Sequence, residues 1–210
     1  MGIVYQMIIY DFFSGTGSST QAFKDAGHTV ITIELDEYFE AHERDILQLT
    51  SDMLITKYGQ PDFIWASPPC TSFSVASIGH HWNEDKTPKT EQAHKSIELV
   101  LFTLNLIKSL NPKAWLLENP RGMLRKQAIM RGLEHRQITY CAYGDTRMKP
   151  TDLWGSVPNW VARPACKNGA TCHEAAPRGS KTGTQGLKGA KTRSMIPYEL
   201  SKELLTSVDK

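Results

Sequence analysis

The feature that most constrains the fold is an alternation between short apolar runs and segments of helical character. Five apolar runs have the length of a buried strand, at residues 3–12, 28–35, 61–66, 113–118 and 136–144. Between them lie four segments that favour helices, at residues 21–27, 37–45, 91–110 and 121–133. This alternation predicts an α/β fold with a doubly wound, mostly parallel, Rossmann-like sheet.

The character of the chain changes after about residue 155. Residues 156–195 are rich in Pro, Gly, Lys and Arg and show little periodicity. Residues 196–210 have the pattern of a closing helix, with Pro197 near its start. We therefore expect a ligand-binding body at residues 1–155, a small, loop-rich basic insert at 156–195, and a C-terminal helix at 196–210 that returns to the body.

Charge is unevenly distributed along the chain. Residues 163–194 hold seven Lys or Arg and one acidic residue, although the net charge of the whole chain is only +2. Such a segment fits either a polyanion-binding edge or a flexible solvated tail. The apolar runs are too short for a membrane span, the N-terminus lacks a signal-peptide pattern, and four unevenly spaced cysteines favour a reducing compartment. We therefore expect a cytoplasmic protein without a membrane partner.

The first candidate site is the stretch YDFFSGTGSS at residues 10–19, between a predicted strand and a predicted helix. Gly15 and Gly17 allow a tight turn and a close approach of the backbone to a ligand. Glu34 ends the next strand, where an acidic side chain suits ribose hydroxyls. The third glycine of the dinucleotide fingerprint is missing. The pattern predicts a nucleotide-like ligand, and an ordinary strand–helix turn is the alternative.

The second candidate site is the stretch SPPCTSFS at residues 67–74, directly after the third predicted strand. Ligands of doubly wound sheets bind beyond the carboxyl ends of the strands, and two prolines stiffen the loop that places Cys70 there. A thiolate is a strong nucleophile near neutral pH. A buried free cysteine without chemistry is the alternative.

The third candidate site is the stretch LLENPRG at residues 116–122. Glu118 follows an apolar run, where a carboxyl group needs a partner or a task. A salt bridge with Arg121 is one interpretation. The other is a carboxyl group that stays protonated in a closed pocket near the thiol and donates a hydrogen bond.

Together, these stretches resemble the motifs of the DNA (cytosine-5) methyltransferase family, in the same order and with similar spacing over residues 7 to about 155. DFFSGTG resembles the family's S-adenosylmethionine loop, SPPCTSFS its Pro-Cys nucleophile motif, and ENP its Glu-Asn motif. KPTDLW and the basic insert are similar to small phage-type members. The resemblance implies an S-adenosylmethionine-dependent methyltransferase fold and a monomer that methylates C5 of a flipped cytosine in double-stranded DNA.

The resemblance also implies roles for single residues. In the catalytic set, Cys70 would attack C6 of the cytosine, Glu118 would hold N3, and Asn119 would brace the Pro-Cys loop. Arg147, in YGDTRMKPTD, would take the place of the family's Gln-x-Arg-x-Arg motif together with Lys149, near the cytosine O2. The cofactor would be bound by Asp11, Phe13, Gly15, Gly17, Glu34, Asp45 and Pro68. DNA would be contacted by Ser72, His81, Arg178, Lys181 and Lys188.

Two of these assignments have alternatives. Asp45 would receive the adenine amino group, but a simple helix cap explains its position equally well. Residues 75–90 resemble the loop that closes over the flipped base, where His80, His81 and Trp82 would fill the vacated stack or touch phosphate. A solvated lid without chemistry is the alternative for that loop.

A small cysteine and histidine cluster lies around the basic insert. Cys166, Cys172 and His173 form a C-x5-C-H pattern, which with Cys141 supplies four candidate zinc ligands. The spacing matches no established zinc pattern. We therefore expect metal-free thiols, with a small structural zinc site or a disulfide as alternatives.

Three other functions stay open. SPPC is close to the (D/N/S)-P-P-(Y/F) motif of exocyclic-amine DNA methyltransferases, which need no thiol. A non-catalytic DNA-binding relative would also keep these motifs. RNA is a further candidate substrate, because no residue in the pattern reads the sugar.

Overall fold

The computed structural model describes residues 5–174 and 189–209, and its centre is a six-stranded sheet. The strands are β1 (Ile8–Phe12), β2 (Thr29–Ile33), β3 (Phe63–Ala66), β4 (Ala114–Pro120), β5 (His135–Thr139) and β6 (Pro150–Trp154). Across the sheet they lie in the order β2-β1-β3-β4-β6-β5. β1 to β4 are parallel, and β6 is antiparallel to both of its neighbours. The prediction of a mostly parallel α/β sheet is confirmed.

Helices cover both faces of the sheet. They are α1 (Gln21–Asp25), α2 (Ser51–Tyr58), α3 (Ile78–His81), α4 (Glu91–Leu110), α5 (Ala190–Ser194) and α6 (Tyr198–Val208). Successive strand residues point to opposite faces. Tyr10 accordingly packs in one core with Leu54 of α2 and Val100 of α4, whereas its neighbour Ile9 packs in the other core with Leu200 of α6.

The longest helix, α4, is specified at both ends. Thr90 caps its start, since its hydroxyl accepts a hydrogen bond from the Ala93 amide, and Asn111 ends it in a left-handed conformation with φ +46°. None of the helices in the described ranges combines the length and the apolar character that a membrane crossing requires.

The register of the parallel strands brings three loops to one level. Phe12 of β1 pairs with Ile33 of β2 and with Ala66 of β3, and Ala66 pairs with Leu117 of β4. The residues that come next therefore lie side by side at the carboxyl edge of the sheet: Phe13, Glu34, Ser67 and Glu118. All three candidate stretches meet at this edge, where ligands of such sheets bind.

The prediction of a helix at residues 37–45 is wrong. This segment forms turns and folds back along the edge of β2. The amides of His42 and Glu43 both donate to the Thr32 carbonyl oxygen, at 2.9 and 3.2 Å. Arg44 also donates to the carbonyl oxygens of Glu34, Asp36 and Phe39. These bonds satisfy the backbone without a helix.

The prediction of a helix at residues 121–133 is also wrong, because tertiary contacts bind this segment to the Cys70 loop. It forms two short 3₁₀ turns, at Leu124–Lys126 and Ala128–Met130. The Met123 amide donates to the Phe73 carbonyl oxygen at 2.7 Å. A Cβ atom at Gly122 would lie only 2.1 Å from that oxygen, so the close approach requires glycine.

The sequence does not predict β6, because PTDLW starts with a proline and carries an acidic residue. Proline is tolerated at the first position of a strand. Asp152 is fully buried, and its carboxylate accepts a hydrogen bond from Arg125 Nε at 2.8 Å and lies 3.1 Å from His135 Nε2. Such pairing makes a buried carboxylate tolerable inside a sheet. β6 therefore separates β4 from β5.

Tyr198–Val208 forms the helix α6, which buries Leu200 and Leu204. The division into a body at 1–155, an insert at 156–195 and a closing helix stays a prediction, because residues 175–188 lie outside the described ranges.

Candidate active site

The turn between β1 and α1 is built around a buried carboxylate. Asp11 has no exposed surface, and its Oδ2 accepts hydrogen bonds from the hydroxyls of Ser19 at 2.8 Å and Thr20 at 2.7 Å. Burial raises the pKa of Asp11 to about 6, although the two hydroxyls oppose the shift. Its Oδ1 is buried without a hydrogen-bond partner among the described residues. Asp11 thus braces the turn through one oxygen, and the other oxygen suits a ligand donor.

The backbone of this turn is left-handed at several positions. The φ angle is +47° at Gly15 and +70° at Gly17, conformations that glycine adopts without strain. Phe13 also has a positive φ of +61°, and its amide donates to the Ile33 carbonyl oxygen at 2.8 Å. The Gly15 amide donates to Glu34 Oε2 at 2.8 Å. The glycine turn and the acid at the end of β2 are therefore in direct contact.

A cavity of about 360 Å³ opens beside the glycine turn, within the size range of small-molecule sites. Its lining is mostly polar: Ser14, Gly15, Thr16, Gly17, Lys24, Thr32, Tyr38, Phe39, Glu40 and Lys191. Lys191 Nζ lies 5.0 Å from the centroid of the Tyr38 ring. The Ser14 hydroxyl is buried and has no hydrogen-bond partner among the described residues. The cavity thus offers aromatic rings together with free polar groups.

Asp45 is a helix cap in this structure. Its carboxylate accepts hydrogen bonds from the Leu47 amide at 3.0 Å and from Gln48 Nε2 at 3.1 Å, at the start of the 3₁₀ turn Ile46–Gln48. Like Asp11 and Glu34, which contact the glycine turn, it is not among the residues that line the cavity, but unlike them it makes no hydrogen bond to that turn in the part of the chain that the structure describes. The simple cap, which was the alternative interpretation of the sequence, therefore describes its observed contacts.

The loop that carries Cys70 is fixed by its own backbone. The Cys70 carbonyl oxygen accepts hydrogen bonds from the amides of Phe73 at 3.0 Å and Ser74 at 2.9 Å. Asn119 Nδ2 on β4 donates to the Pro68 carbonyl oxygen at 2.9 Å. This is the bracing contact expected of Asn119, and it leaves Pro68 with its carbonyl directed to β4. The loop that carries Cys70 is thereby linked to strand β4.

The environment of Cys70 connects it to a buried acid and a lysine. Cys70 is a free, half-buried thiol. Burial raises the pKa of this thiol, the negative charge of Glu118 raises it further, and the positive charge of Lys149 lowers it. Thiolate formation at Cys70 therefore depends on the balance between these two neighbours.

Glu118 is the buried acid of the site, with only 5% of its surface exposed. The Tyr140 hydroxyl donates to its Oε1 at 3.1 Å. Burial raises the pKa of Glu118, against the charge of Lys149 and the hydrogen bonds from Tyr140 and Ser67. Its partners in the described residues do not include Arg121, so the salt-bridge interpretation is not the observed one. A raised pKa favours the protonated acid.

Lys149 supplies the positive charge next to these groups. Its Nζ donates to the Tyr140 hydroxyl at 3.3 Å and lies 4.4 Å from the centroid of the Tyr140 ring. Burial lowers the pKa of Lys149, although Glu118 opposes this. The sequence indicates Lys149 only as half of a basic pair. Lys149 comes directly before Pro150, the first residue of β6, and β6 pairs with β4, which carries Glu118. This position in the sheet brings Lys149 close to Glu118.

Arg147 is engaged elsewhere. Its Nε lies 2.8 Å from Asp145 Oδ1, and its terminal nitrogens donate to Asp145 Oδ2 and to the carbonyl oxygens of Thr192, Arg193 and Met195. A guanidinium has five N–H donors, and these contacts use all of them. The predicted approach of Arg147 to a cytosine is therefore wrong for this structure. Arg147 instead holds residues 189–196, which we call the strap, against the edge of the sheet.

Some of the residues predicted to contact DNA, in and just before the loop at residues 75–90, are buried in the core. Trp82 is buried, stacks on Phe73 with centroids 5.7 Å apart, and donates from its Nε1 to the Ser72 carbonyl oxygen at 2.7 Å. Ser72 is fully buried and shares a hydrogen bond of 2.8 Å with Ser96. The predicted contacts of Ser72 and Trp82 with DNA are therefore wrong for this structure, because both side chains belong to the core.

The histidines of that loop stay near the surface. His81 Nδ1 lies 2.7 Å from the Thr90 hydroxyl, and the His80 and His81 rings contact each other. Contact of His81 with DNA stays a prediction. Arg178, Lys181 and Lys188 lie outside the described residues, so their DNA contacts also stay predictions.

The cysteine and histidine cluster converges in three dimensions. The sulfur atoms of Cys141, Cys166 and Cys172 and a ring nitrogen of His173 all lie within 4.8 Å of one another. Sequence spacing favours metal-free thiols, but the observed convergence is that of a ligand set.

Comparisons with known proteins agree with this geometry. The model of the C-5 cytosine-specific DNA methylase family matches residues 7–135. A Frog virus 3 (isolate Goorha) protein named "Probable DNA (cytosine-5)-methyltransferase" is 29% identical over 218 residues, which cover 95% of this chain and 99% of the viral protein.

Two solved structures are similar in fold. One is described as a DNA modification methyltransferase encoded within a prophage of E. coli, with a TM-score of 0.52 and 17% identity over 71% of this chain. The other is the Entamoeba histolytica methyltransferase EhMeth, with a TM-score of 0.53 and 13% identity over 78% of this chain. The match covers 46% and 57% of those longer chains. With the family model matching more than half of the sequence, the chain is a methyltransferase that belongs to the C-5 cytosine-specific DNA methylase family.

Proposed function

We propose that this chain transfers a methyl group from S-adenosylmethionine to C5 of a flipped cytosine in DNA, through a covalent bond between Cys70 Sγ and C6. The observation that carries the proposal is the pairing of Cys70 and Glu118. Cys70 lies in the loop after β3, Glu118 lies on the adjacent parallel strand β4, and the negative charge of Glu118 raises the pKa of Cys70. A nucleophile beside a buried acid is what addition to a cytosine ring requires.

The cavity beside the glycine turn fits the cofactor. Glu34 offers a carboxylate to ribose hydroxyls, and Asp11 Oδ1 offers a buried acceptor to an ammonium group. Tyr38 and Phe39, which the sequence did not single out, offer rings for stacking with adenine. The bound cofactor would supply an electrophilic methyl group on a sulfonium.

The covalent step follows from the weak nucleophilicity of cytosine C5. The Cys70 thiolate adds to C6 and forms a C–S bond, while the Glu118 carboxyl gives its proton to N3. The ring becomes an enamine whose C5 would form a C–C bond to the sulfonium methyl carbon, while the methyl–sulfur bond breaks and the neutral thioether leaves. Loss of the C5 proton to a base then restores the C5–C6 double bond and expels the thiolate, and the N3 proton returns to Glu118. Atoms and charge balance over this cycle.

Glu118 suits the role of acid because burial raises its pKa. The Tyr140 hydroxyl fixes its Oε1 at 3.1 Å, which leaves the second carboxyl oxygen to carry the proton toward N3. Raised carboxyl pKa values in apolar surroundings are a common device for acid catalysis near neutral pH.

Cys70 needs help to ionise, because both burial and Glu118 raise its pKa. Lys149 is the neighbour that lowers it, and its ammonium group is held by Tyr140 and by the Arg193 carbonyl oxygen. When Glu118 is protonated, its opposing charge is removed and the thiolate becomes easier to form. The acid and the nucleophile therefore favour each other's reactive state.

DNA is the proposed partner, bound mainly through phosphate. A base that reacts at C5 and C6 must leave the duplex, which agrees with a site at the open edge of the sheet. The excess of Lys and Arg in residues 163–194 suits phosphate contacts, and these position a protein without reading sequence. We expect a short recognition sequence, because the insert is small.

The first test is expression in a bacterial host that lacks its own DNA methylation, followed by sequencing that detects 5-methylcytosine. Methylated cytosines in a fixed sequence context are expected. Methyl groups on the exocyclic N4 of cytosine or N6 of adenine would instead support the exocyclic-amine alternative. DNA without methylation, from cells that contain folded protein able to bind cofactor, would support a non-catalytic relative.

The second test traps the covalent intermediate. A duplex with 5-fluorocytosine at the recognised position should form a complex with the protein that survives denaturing electrophoresis, because fluorine blocks release of the thiol. Cys70→Ser is the matched control and should form none. Unmodified mass for the wild-type chain, in the presence of turnover on ordinary DNA, would contradict the thiol route.

A further inference from the structure

We propose that Cys141, Cys166, Cys172 and His173 bind one Zn²⁺ ion, which anchors the start of the basic insert to the sheet. The four donors belong to distant parts of the sequence: Cys141 lies in the 3₁₀ turn Tyr140–Tyr143 that follows β5, and the other three lie in residues 166–173. The proposal does not depend on the methyl-transfer reaction, since none of these residues acts in it.

The donor distances fit a tetrahedral ion. With Zn–S and Zn–N bonds of about 2.3 and 2.05 Å, the edge between a sulfur and a nitrogen is about 3.6 Å. His173 Nδ1 lies 3.7 Å from Cys166 Sγ and 3.6 Å from Cys172 Sγ. Two sulfurs bound to one zinc ion would be about 3.8 Å apart, whereas Cys166 Sγ and Cys172 Sγ lie 3.1 Å apart, and all four donor atoms lie within 4.8 Å of one another. Zinc binding therefore requires these two sulfurs to move apart by about 0.7 Å, while the two sulfur–nitrogen distances already match.

The donor types select zinc. Three thiolates and one imidazole form the Cys₃His set that is typical of closed structural zinc sites, and hard cations such as Mg²⁺ prefer oxygen ligands. Cys166 Sγ and Cys172 Sγ are 3.1 Å apart, which is longer than the about 2.05 Å of a disulfide bond. A disulfide between them would also leave Cys141 and His173 without a reason to converge.

The backbone around the cluster is already connected to the sheet edge. The Cys166 amide donates to the Thr139 hydroxyl at 2.8 Å, and the Glu174 amide donates to the Thr146 carbonyl oxygen at 2.9 Å. These two hydrogen bonds hold the first and last residues of the segment 166–174 against residues 139–146. The ligands within that segment therefore lie beside the 3₁₀ turn that contains Cys141.

The same segment has little apolar core to hold it. Val161 is 84% exposed, and residues 164, 165 and 168–172 are also exposed. Loops that cannot bury enough apolar surface are commonly stabilised by a structural metal. A zinc ion would provide that stability at the point where the chain enters residues 175–188.

The position of the site gives the ion a task. Cys141 directly follows Tyr140, whose hydroxyl bonds to Glu118, and Arg178, Lys181 and Lys188 of the insert follow His173 in the sequence. A zinc ion here would fix residues 166–173 of the insert relative to Glu118. It would thus be a structural metal that positions the DNA-facing segment.

The test is the metal content of the full chain, purified under reducing conditions from cells grown with zinc and measured by elemental mass spectrometry. About one zinc per chain is expected. Cys172→Ser and Cys166→Ser should each weaken zinc binding more than about 100-fold, beyond the loss that an outer partner causes. Cys70→Ser is the matched control, because it removes a thiol outside the cluster and should keep the zinc. Zinc in the cluster variants at the wild-type level would overturn the proposal.

Two further measurements keep the test valid if a serine variant misfolds. His173→Cys keeps four zinc ligands and should retain the metal, whereas His173→Ala should lose it. In the wild-type chain, replacement of zinc by Co²⁺ should give the intense visible bands of tetrahedral thiolate coordination. A folded, reduced wild-type chain that takes up neither metal, or that contains a Cys166–Cys172 disulfide as isolated, would overturn the proposal.

Discussion

Cys70 and Glu118, the proposed nucleophile and acid, are positioned by the sheet, whereas Lys149 beside them is held by polar contacts. Cys70 lies in the loop after β3 and Glu118 lies on β4, and the register of these parallel strands is fixed by backbone pairing and by buried apolar side chains. Lys149 is half-buried, with φ +27°, and it depends on Tyr140 and on the strap for its position. The strap in turn depends on Arg147.

This difference predicts which substitutions in the site affect activity alone and which also affect folding stability. A cooperative core distributes its stability over many contacts, so a single substitution on the sheet affects chemistry first. A clamp concentrates its stability in a few hydrogen bonds and ion pairs, so one substitution affects position, folding and activity together. Variants in the two regions should therefore separate in their readouts.

The largest effect is expected for Cys70→Ala. Loss of the nucleophile should reduce methyl transfer by a factor on the order of 10⁴ or more, as for other covalent catalysts, while leaving cofactor affinity unchanged. Transfer of labelled methyl groups to DNA measures the first quantity, and calorimetric titration with S-adenosylmethionine measures the second. Turnover within about tenfold of wild type would overturn the mechanism.

The next effect concerns the acid. Glu118→Gln keeps the shape and a hydrogen-bond donor but cannot give a proton, so the rate should fall by about 10²–10⁴-fold. Because the pKa of Glu118 is raised by burial, the wild-type rate should decline as the pH rises through that pKa, and this decline should vanish in the variant. Pre-steady-state rates across pH provide the measurement. An unchanged profile would remove Glu118 from the proton-transfer step.

Lys149→Met tests the clamped half of the site. Without the charge that lowers it, the pKa of Cys70 should rise, so the part of the rate that requires thiolate should shift to higher pH. We expect a loss of about 10–100-fold near neutral pH, with partial recovery under alkaline conditions. Lys149→Arg is the matched control that keeps the charge. Equal losses in both variants at every pH would indicate a purely structural role.

The smallest effect on chemistry and the clearest effect on folding are expected for Arg147→Met. It leaves a half-buried Asp145 without its guanidinium partner and the carbonyl oxygens of Thr192 and Met195 without this donor, so the free energy of unfolding should fall by about 3 kcal/mol. Asp145→Asn in the same chain should restore part of this loss. Lys95→Met, which breaks an exposed pair with Glu91, should leave the free energy of unfolding almost unchanged. Equal losses in denaturant titrations would contradict the clamp.

The sheet and its site were largely predictable because characteristic turn residues mark the ends of the strands. Glycines after β1, prolines after β3 and an Asn-Pro pair at the end of β4 mark three carboxyl ends, and parallel topology brings such ends together. Cys70 and Glu118 could therefore be paired without coordinates, since both the residue types and their positions point to chemistry.

The remaining errors concern residues whose role depends on tertiary partners. Trp82 occurs in a polar loop, but its indole finds Phe73 and the Ser72 carbonyl oxygen, which no local pattern indicates. Arg147 and Lys149 lie two residues apart and are both cationic, and only Asp145 and the strap decide which one faces the site. Cys141 lies 25 residues before Cys166, so their convergence is a property of the fold alone.

The strap has a thermodynamic consequence for the two ligands of the enzyme. Lys191 lines the cofactor cavity, and two residues later the Arg193 carbonyl oxygen holds Lys149 beside Cys70. One short segment therefore borders the cavity beside the glycine turn and also holds the lysine beside Cys70. Any displacement of the strap that one ligand favours changes the affinity for the other, and linkage requires the two changes to be equal in magnitude. DNA affinity measured with and without cofactor must then give the same ratio as cofactor affinity measured with and without DNA.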